Sequence, residues 1–330
     1  MRVLVTGGAG YIGSHAVKRL DEGGHDVVAV DNLCLGHRDA VAKHIPFYET
    51  DIREKDEMVR IMKEHGIECV MHFAAFSQVG ESVGDPLKYY DNNTYGSKCL
   101  IQAMDEAGVK KLVFSSTCAT YGEPEEVPIS ETCPQSPINP YGWSKLFVER
   151  MLKDYAAANE DFAYSALRYF NVAGSAADGT IGEDHDPETH IIPVILNTAL
   201  GKRDAITIFG EDYETPDGTC IRDYIHVEDL VDAHVVVMEA LQAGDERYYN
   251  LGIGNGLSVK QIVDAAKKVT AIDFEVKKGE RRAGDPPMLF ANPSKIKREI
   301  GWEAKYTDVE KIIETAWGWF KANPDGYDDK

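Results

Sequence analysis

The residues best placed to do chemistry lie in Asn139-Pro140-Tyr141-Gly142-Trp143-Ser144-Lys145, where a phenol and an amine stand four positions apart. Asn is a good helix N-cap and Pro is favoured at the first helical position, so a helix is expected to open there with Tyr141 in its first turn. Residues i and i+4 share a helix face, which puts Lys145 one turn from Tyr141. A free phenol has a pKa of about 10, so service as a base near neutrality needs a drop of roughly three units, about 4 kcal/mol. The Lys145 ammonium and the positive end of the helix both push that way, and neither suffices alone. A third positive charge from outside the chain would complete the shift. An isolated pair of this kind is also what a surface tyrosine beside a lysine looks like, so the elements around it decide.

Those elements begin at once. Arg2-Val3-Leu4-Val5-Thr6 is an apolar run of buried-strand type, and it leads into Gly7-Gly8-Ala9-Gly10-Tyr11-Ile12-Gly13. Ile12, Ala16, Val17 and Leu20 then recur at helical spacing until Gly23-Gly24. Glycines 7, 10 and 13 between a strand and a helix let backbone approach a pyrophosphate at the positive helix end. A second strand, Val27-Val28-Ala29-Val30, ends at Asp31, 18 residues past Gly13. A carboxylate there can accept from both ribose hydroxyls and would repel a 2′-phosphate, so NAD is expected in preference to NADP. Its positively charged nicotinamide is the external charge that Tyr141 needs.

The alternation continues through a strand ending at Asp51-Ile52 beside the adenine, a helix over 53–65, and Cys69-Val70-Met71-His72-Phe73-Ala74-Ala75, whose small terminal residues let a cofactor pass. A long helical pattern over 86–107 precedes Lys111-Leu112-Val113-Phe114-Ser115-Ser116-Thr117. Alternating strands and helices imply a parallel sheet with right-handed crossovers, and ligands gather at the carboxyl ends of its strands. Thr117, Tyr141 and Lys145 are therefore expected to converge at one edge.

Composition is that of a water-soluble globular protein: 330 residues, 43% hydrophobic, 27% charged. A net charge of −20 argues against nucleic acid or an anionic membrane as partner. Six cysteines without a C-x-x-C pair point to reduced thiols. No signal-peptide pattern and no membrane-length apolar run are present, so a cytoplasmic location is expected.

Taken with Arg168-Tyr169-Phe170-Asn171-Val172-Ala173-Gly174, Arg222-Asp223-Tyr224-Ile225-His226-Val227 and Arg281-Arg282-Ala283-Gly284-Asp285, these motifs resemble the extended short-chain dehydrogenase/reductase family nearly end to end. Within it they resemble the UDP-glucose 4-epimerase branch. The resemblance implies a Rossmann-type doubly wound parallel sheet over 1–170, with 222–246 returning to it. A smaller C-terminal α/β substrate domain over 171–330 would bind a UDP-sugar. It implies reversible interconversion of UDP-galactose and UDP-glucose through a 4-keto sugar with tightly held NAD. Tyr141 would be the base, Lys145 would lower its pKa and hold the nicotinamide ribose, and Thr117 would bind the 4-oxygen. To the cofactor surface it assigns Gly7, Gly10, Tyr11, Ile12, Gly13, Asp31, Asn32, Asp51, Ile52, Phe73, Ala74, Ala75, Asn92, Ser115 and Phe170, with Tyr141 and Lys145. To the substrate it assigns Asn171, His190, Arg222, Arg282 and Asp285 beside Thr117 and Tyr141. Local arginines can hold an anion despite the acidic surplus, because charge is screened over roughly 8 Å at physiological salt.

Three positions depart from some members: Ser77 where a lysine can face the NAD phosphates, His190 where an asparagine can touch the diphosphate, and Leu289, whose bulk resembles a gate on the sugar 2-position. Leucine leaves N-acetylated UDP-hexosamines open. A 4,6-dehydratase would need an acid and a base straight after the threonine, where Cys118 and Ala119 stand. A UDP-glucuronate epimerase and a non-catalytic NAD sensor are the remaining alternatives. His185 and His190 could suggest a metal, but with no supporting cysteine none is expected. The resemblance implies a homodimer through the helices over 86–107 and 140–157, and the tail from Asn323 is expected to fray.

Overall fold

The computed structural model describes residues 1–281 and 286–329. Its main sheet has seven strands in the spatial order Glu246–Leu251, Ala163–Tyr169, Lys111–Thr117, Cys69–His72, Arg2–Thr6, Asp26–Asp31, Phe47–Glu49. Every pairing is parallel. Chain order reverses between Arg2–Thr6 and Cys69–His72, which opens a crevice at their carboxyl ends.

The two faces of the sheet are covered separately, as strand alternation requires. Val3, Val5, Ala29, Met71 and Leu167 pack with Val17 and Leu20 of the helix Tyr11–Glu22 and Leu230 and Val237 of the helix Val227–Ala240. Leu4, Val28, Val70, Leu112 and Phe114 face the opposite way, against Met58 and Ile61, Leu100 and Met104, and Val148 and Leu152 from three further helices. The helix Val227–Ala240 packs on this sheet, and Glu246–Leu251 is its edge strand.

A second core gathers Ile192, Leu196, Ile262, Ile313, Trp317 and Phe320. Around it are the pair Ala205–Phe209 with Glu275–Gly279 and a small sheet of Leu257–Ser258, Ile221–Arg222 and Met288–Leu289. The pair Asn171–Ala173 and Tyr224–His226 lies between the two cores in sequence and carries Asn171 just beyond the end of the strand Ala163–Tyr169.

The pattern over 86–107 is helical throughout: Pro86–Tyr89 runs through a π-helical stretch over Tyr90–Tyr95 into Gly96–Ala107. The last helix, Val309–Ala322, is capped by Asp308, whose side chain accepts from the Glu310 amide. One expectation needs correction. The tail does not fray. The Tyr327 ring stacks on His37 at 4.9 Å, its hydroxyl meets the Gly182 amide at 3.0 Å, and Asp329 accepts from the Asp39 amide at 2.9 Å.

Candidate active site

The helix Pro140–Ala158, which carries Tyr141 and Lys145, begins as the sequence indicates: the Asn139 side chain accepts from the Gly142 amide at 2.8 Å and Pro140 occupies the first turn. Its start is pressed against the turn that follows Thr117. A Cβ on Gly142 would lie 2.5 Å from the Ala119 carbonyl oxygen, so only glycine permits this approach. The Thr117 hydroxyl is thereby near enough to the Tyr141 phenol to act on its pKa. Lys145, one turn on, is 3% exposed and donates to the Ser115 carbonyl at 2.8 Å. Thr117, Tyr141, Lys145 and Ser115 thus meet at the carboxyl end of one strand.

Further residues fix this group without having stood out in the sequence. Asn93 donates to the Ser144 hydroxyl at 3.0 Å and binds both the amide and the carbonyl of Phe76, tying the catalytic helix to the loop after Cys69–His72. Glu149, on the same helix, accepts from Arg168 at 2.9 and 2.6 Å and from Ser116 at 2.5 Å, all out of water. Tyr169 pairs its hydroxyl with that of Ser115. Spacing could not flag these residues, because each acts across the sheet.

Burial opposes the lowering expected of Tyr141. It pushes the Tyr141 phenol up to about 12, against the lowering effect of the nearby Thr117 hydroxyl. It pulls the Lys145 ammonium down to about 7. Lysine and helix end therefore do not make a phenolate by themselves, and a buried cation at this face is what the pair lacks.

The glycine turn fits a dinucleotide. The helix Tyr11–Glu22 has no side chain capping its N-terminus, which leaves first-turn amides for a phosphate. Gly7 has a φ of +70°, and a Cβ there would sit 2.6 Å from the Ala74 nitrogen; one on Gly13 would sit 1.9 Å from the Gly7 oxygen. These two glycines serve chain packing, while Gly10, whose Cβ would meet only the Gly7 oxygen at 3.4 Å, is the open one. Asp31 accepts from the Ala9 and Leu33 amides at 3.0 and 2.9 Å, one per carboxylate oxygen, so each keeps acceptor capacity. Burial still raises its pKa. Asn32 donates to Asp51 at 2.9 Å, and Asp51 is held down to about 2, chiefly by Arg53. Phe73 and Ala74 bend over the glycine turn by donating to the Thr6 carbonyl at 2.9 and 3.1 Å. Ile52 is buried, Ala75 half-buried, and Asn92 donates to Asn93 at 3.0 Å. Tyr11 reaches the Gly174 carbonyl at 2.6 Å, joining the turn to the loop that follows Asn171–Ala173.

Phe170, expected at the cofactor, and Asn171, expected at the substrate, are half-buried, and Asn171 donates its amide to the Asp223 carbonyl at 3.0 Å. The carboxylate of Asp223 is fully buried and accepts from the amides of Ile253, Gly254 and Ala291 at 2.8, 3.0 and 3.1 Å. Arg222 donates to the Ile221 carbonyl at 2.7 Å, pairs in register with Leu289, and lies near enough to Cys118 to act on it electrostatically. His190 sits 2.9 Å from Glu183 and 3.1 Å from Glu188; burial works to lower its pKa, but these carboxylates raise it to about 10. Ser77 is exposed. Arg282 and Asp285 lie outside the described residues.

A parallel doubly wound sheet with a glycine turn leading into an uncapped helix defines a dinucleotide-binding scaffold of the Rossmann type. Residues 3–252 match the model of the NAD dependent epimerase/dehydratase family, and the chain belongs to that family, with NAD as its cofactor. A UDP-glucose 4-epimerase from Lacticaseibacillus casei is 51% identical over the full length of both chains. A crystal structure of a UDP-glucose 4-epimerase is 51% identical with a TM-score of 0.96, covering 99% of this chain and 100% of that one. That of the Bifidobacterium longum enzyme in complex with NAD+ and UDP is 38% identical with a TM-score of 0.95, at 99% and 100% coverage. Within its family the chain groups with the UDP-glucose 4-epimerases.

Proposed function

We propose that the protein interconverts UDP-galactose and UDP-glucose, and that Tyr141 is the base that takes the proton from the sugar 4-hydroxyl. The observation that carries this is Lys145 buried against Ser115 at the end of the strand that carries Thr117, one turn from Tyr141, in a chain 51% identical to a UDP-glucose 4-epimerase. When bound, NAD would supply the hydride acceptor and donor for C4. Thr117 holds the 4-oxygen. Lys145 would hold the nicotinamide ribose and, charged in that setting, favour the phenolate. The proton that Tyr141 accepts returns to the 4-oxygen once the keto sugar has turned its other face, so Tyr141 acts as base and then as acid at the same atom.

Asn171, Arg222 and His190, with Arg282 and Asp285, hold the UDP portion, so binding energy is concentrated on the nucleotide while the hexose stays free to turn. In this reading 1–170, with the return through Leu251, forms the NAD domain, and the remainder forms the UDP-sugar domain. Elimination chemistry of the dehydratase kind is disfavoured, since burial pushes the Cys118 thiol up to about 12 and Ala119 carries no acid or base. We further propose a cytoplasmic homodimer, supported by the free thiols and by large apolar side chains left exposed on the two helices expected to pair.

The experiment is proton NMR of UDP-galactose mixed with purified protein and no added cofactor. UDP-glucose accumulates to equilibrium; a protein that leaves UDP-galactose untouched but consumes UDP-glucuronate would replace this reading. A UDP-N-acetylglucosamine arm decides whether Leu289 admits the N-acetyl group.

A further inference from the structure

The segment between Gly174 and the helix Ile191–Ala199 brings together Glu183, His185, Glu188 and His190, spaced E-x-H-x-x-E-x-H. One donor atom from each, two imidazole nitrogens and two carboxylate oxygens, lies within 4.8 Å of all the others. Nδ1 of His185 is 3.3 Å from Glu183 Oε1 and 3.5 Å from Glu188 Oε2, and Nδ1 of His190 is 2.9 Å from Glu183 Oε1 and 3.1 Å from Glu188 Oε1. Four ligands at about 2.1 Å in a tetrahedron stand roughly 3.4 Å apart, close to these four separations, with Glu188 turning a different oxygen to each imidazole.

A second observation is independent of the spacing. The Glu183 side chain is 3% exposed, yet its Oε1 has no hydrogen-bond partner, and Nδ1 of His185 is likewise buried without one. That oxygen makes only ion-pair contacts, to the two imidazoles, and these hold it only while the rings carry a proton. A cation placed between the four atoms would satisfy both orphans at once. The geometry points to a binding site for a divalent transition metal, zinc by its two-imidazole, two-carboxylate donor set, at Glu183, His185, Glu188 and His190.

The site is structural in character. All four ligands come from this chain, which closes the tetrahedron, and together they clamp the end of a long loop to the start of the next helix. The His185 ring lies edge-on to Tyr11 at 6.2 Å, so the clamp stiffens the wall beside the glycine turn. His190 uses Nδ1 for the cation, which leaves Nε2 as the nitrogen available to the substrate side.

The test is metal analysis of untagged, NAD-loaded protein grown with zinc, followed by chelation and titration with zinc chloride alone. About one zinc per chain is expected as purified, with less than a tenth of that in His185→Ala and in Glu188→Gln. Stripping wild-type protein with EDTA should lower its Tm by a few degrees, and zinc chloride should restore it. The wild-type strip-and-restore arm stands even where a variant fails to fold. Zinc at background level, together with calorimetry that gives the same heats for wild type and His185→Ala, would overturn the site and leave two imidazolium–carboxylate ion pairs.

Discussion

Gly142 and Ala119 are in contact through backbone alone: a side-chain carbon on Gly142 would fall 2.5 Å from the Ala119 carbonyl oxygen. That contact brings the first turn of the helix Pro140–Ala158 down onto the turn after Thr117, so that the Thr117 hydroxyl acts on the Tyr141 phenol. Gly142→Ala must push the helix start away. Its expected effect is a loss in kcat of about 100-fold with KM little changed, since an ångström of misplacement at the base costs about that much. Steady-state kinetics on UDP-galactose check it; an unchanged kcat would mean that the approach is not required.

The pH behaviour follows from burial. Without a cofactor the Tyr141 phenol sits at about 12, so at neutral pH it is protonated and cannot act as a base. Adding the positive charge of NAD beside it favours the phenolate, so the pKa must fall on binding. Ultraviolet difference titration of wild type against Tyr141→Phe, with and without NAD, should show this. Because the phenolate is the active form, kcat falls tenfold per pH unit below the bound-state pKa. A phenol that titrates at the same pH in both states would contradict the electrostatic argument.

Glu149 and Arg168 form a two-point pair beneath the catalytic helix, 3% and 5% exposed. Removing one member leaves a buried, uncompensated charge, so Glu149→Ala should cost about 3–5 kcal/mol in stability. Urea denaturation measures it directly. A loss under about 1 kcal/mol would place the pair in water.

Leu87 is 75% exposed and Phe147 42% exposed, on the two helices proposed to meet their copies. Phe147 also packs against Trp143 at 5.6 Å and Tyr90 at 5.9 Å, giving a contiguous aromatic surface. Leu87→Glu with Phe147→Glu should convert a dimer to a monomer in light scattering with the fold retained. A wild-type protein that is monomeric at micromolar concentration would remove the proposal.

Much of this was legible in the sequence where the cause is local. The Asn139 cap, the Tyr141–Lys145 spacing and the strand–glycine–helix unit are set by neighbouring residues, and they stand where the sequence puts them. What spacing hides is long-range. Asn93 meets Ser144, and Arg168 meets Glu149, only because the sheet brings distant strands and helices together. The crowding at Gly7 and Gly13 is hidden for the same reason, since it comes from Ala74 and from the turn itself. The tail reads as frayed because nothing in its composition reveals His37 and Gly182 as its partners. His185 and His190 were weighed without Glu183 and Glu188, whose carboxylates the loop folds in beside them.

The central claim is that the Tyr141 phenol moves the proton of the 4-hydroxyl. Its most direct test is the initial rate of UDP-galactose conversion by Tyr141→Phe, followed by proton NMR with NAD content matched to wild type. The account predicts a fall of at least about 100-fold, the lower end of what a positioned general base contributes. A variant that runs at the wild-type rate would contradict it.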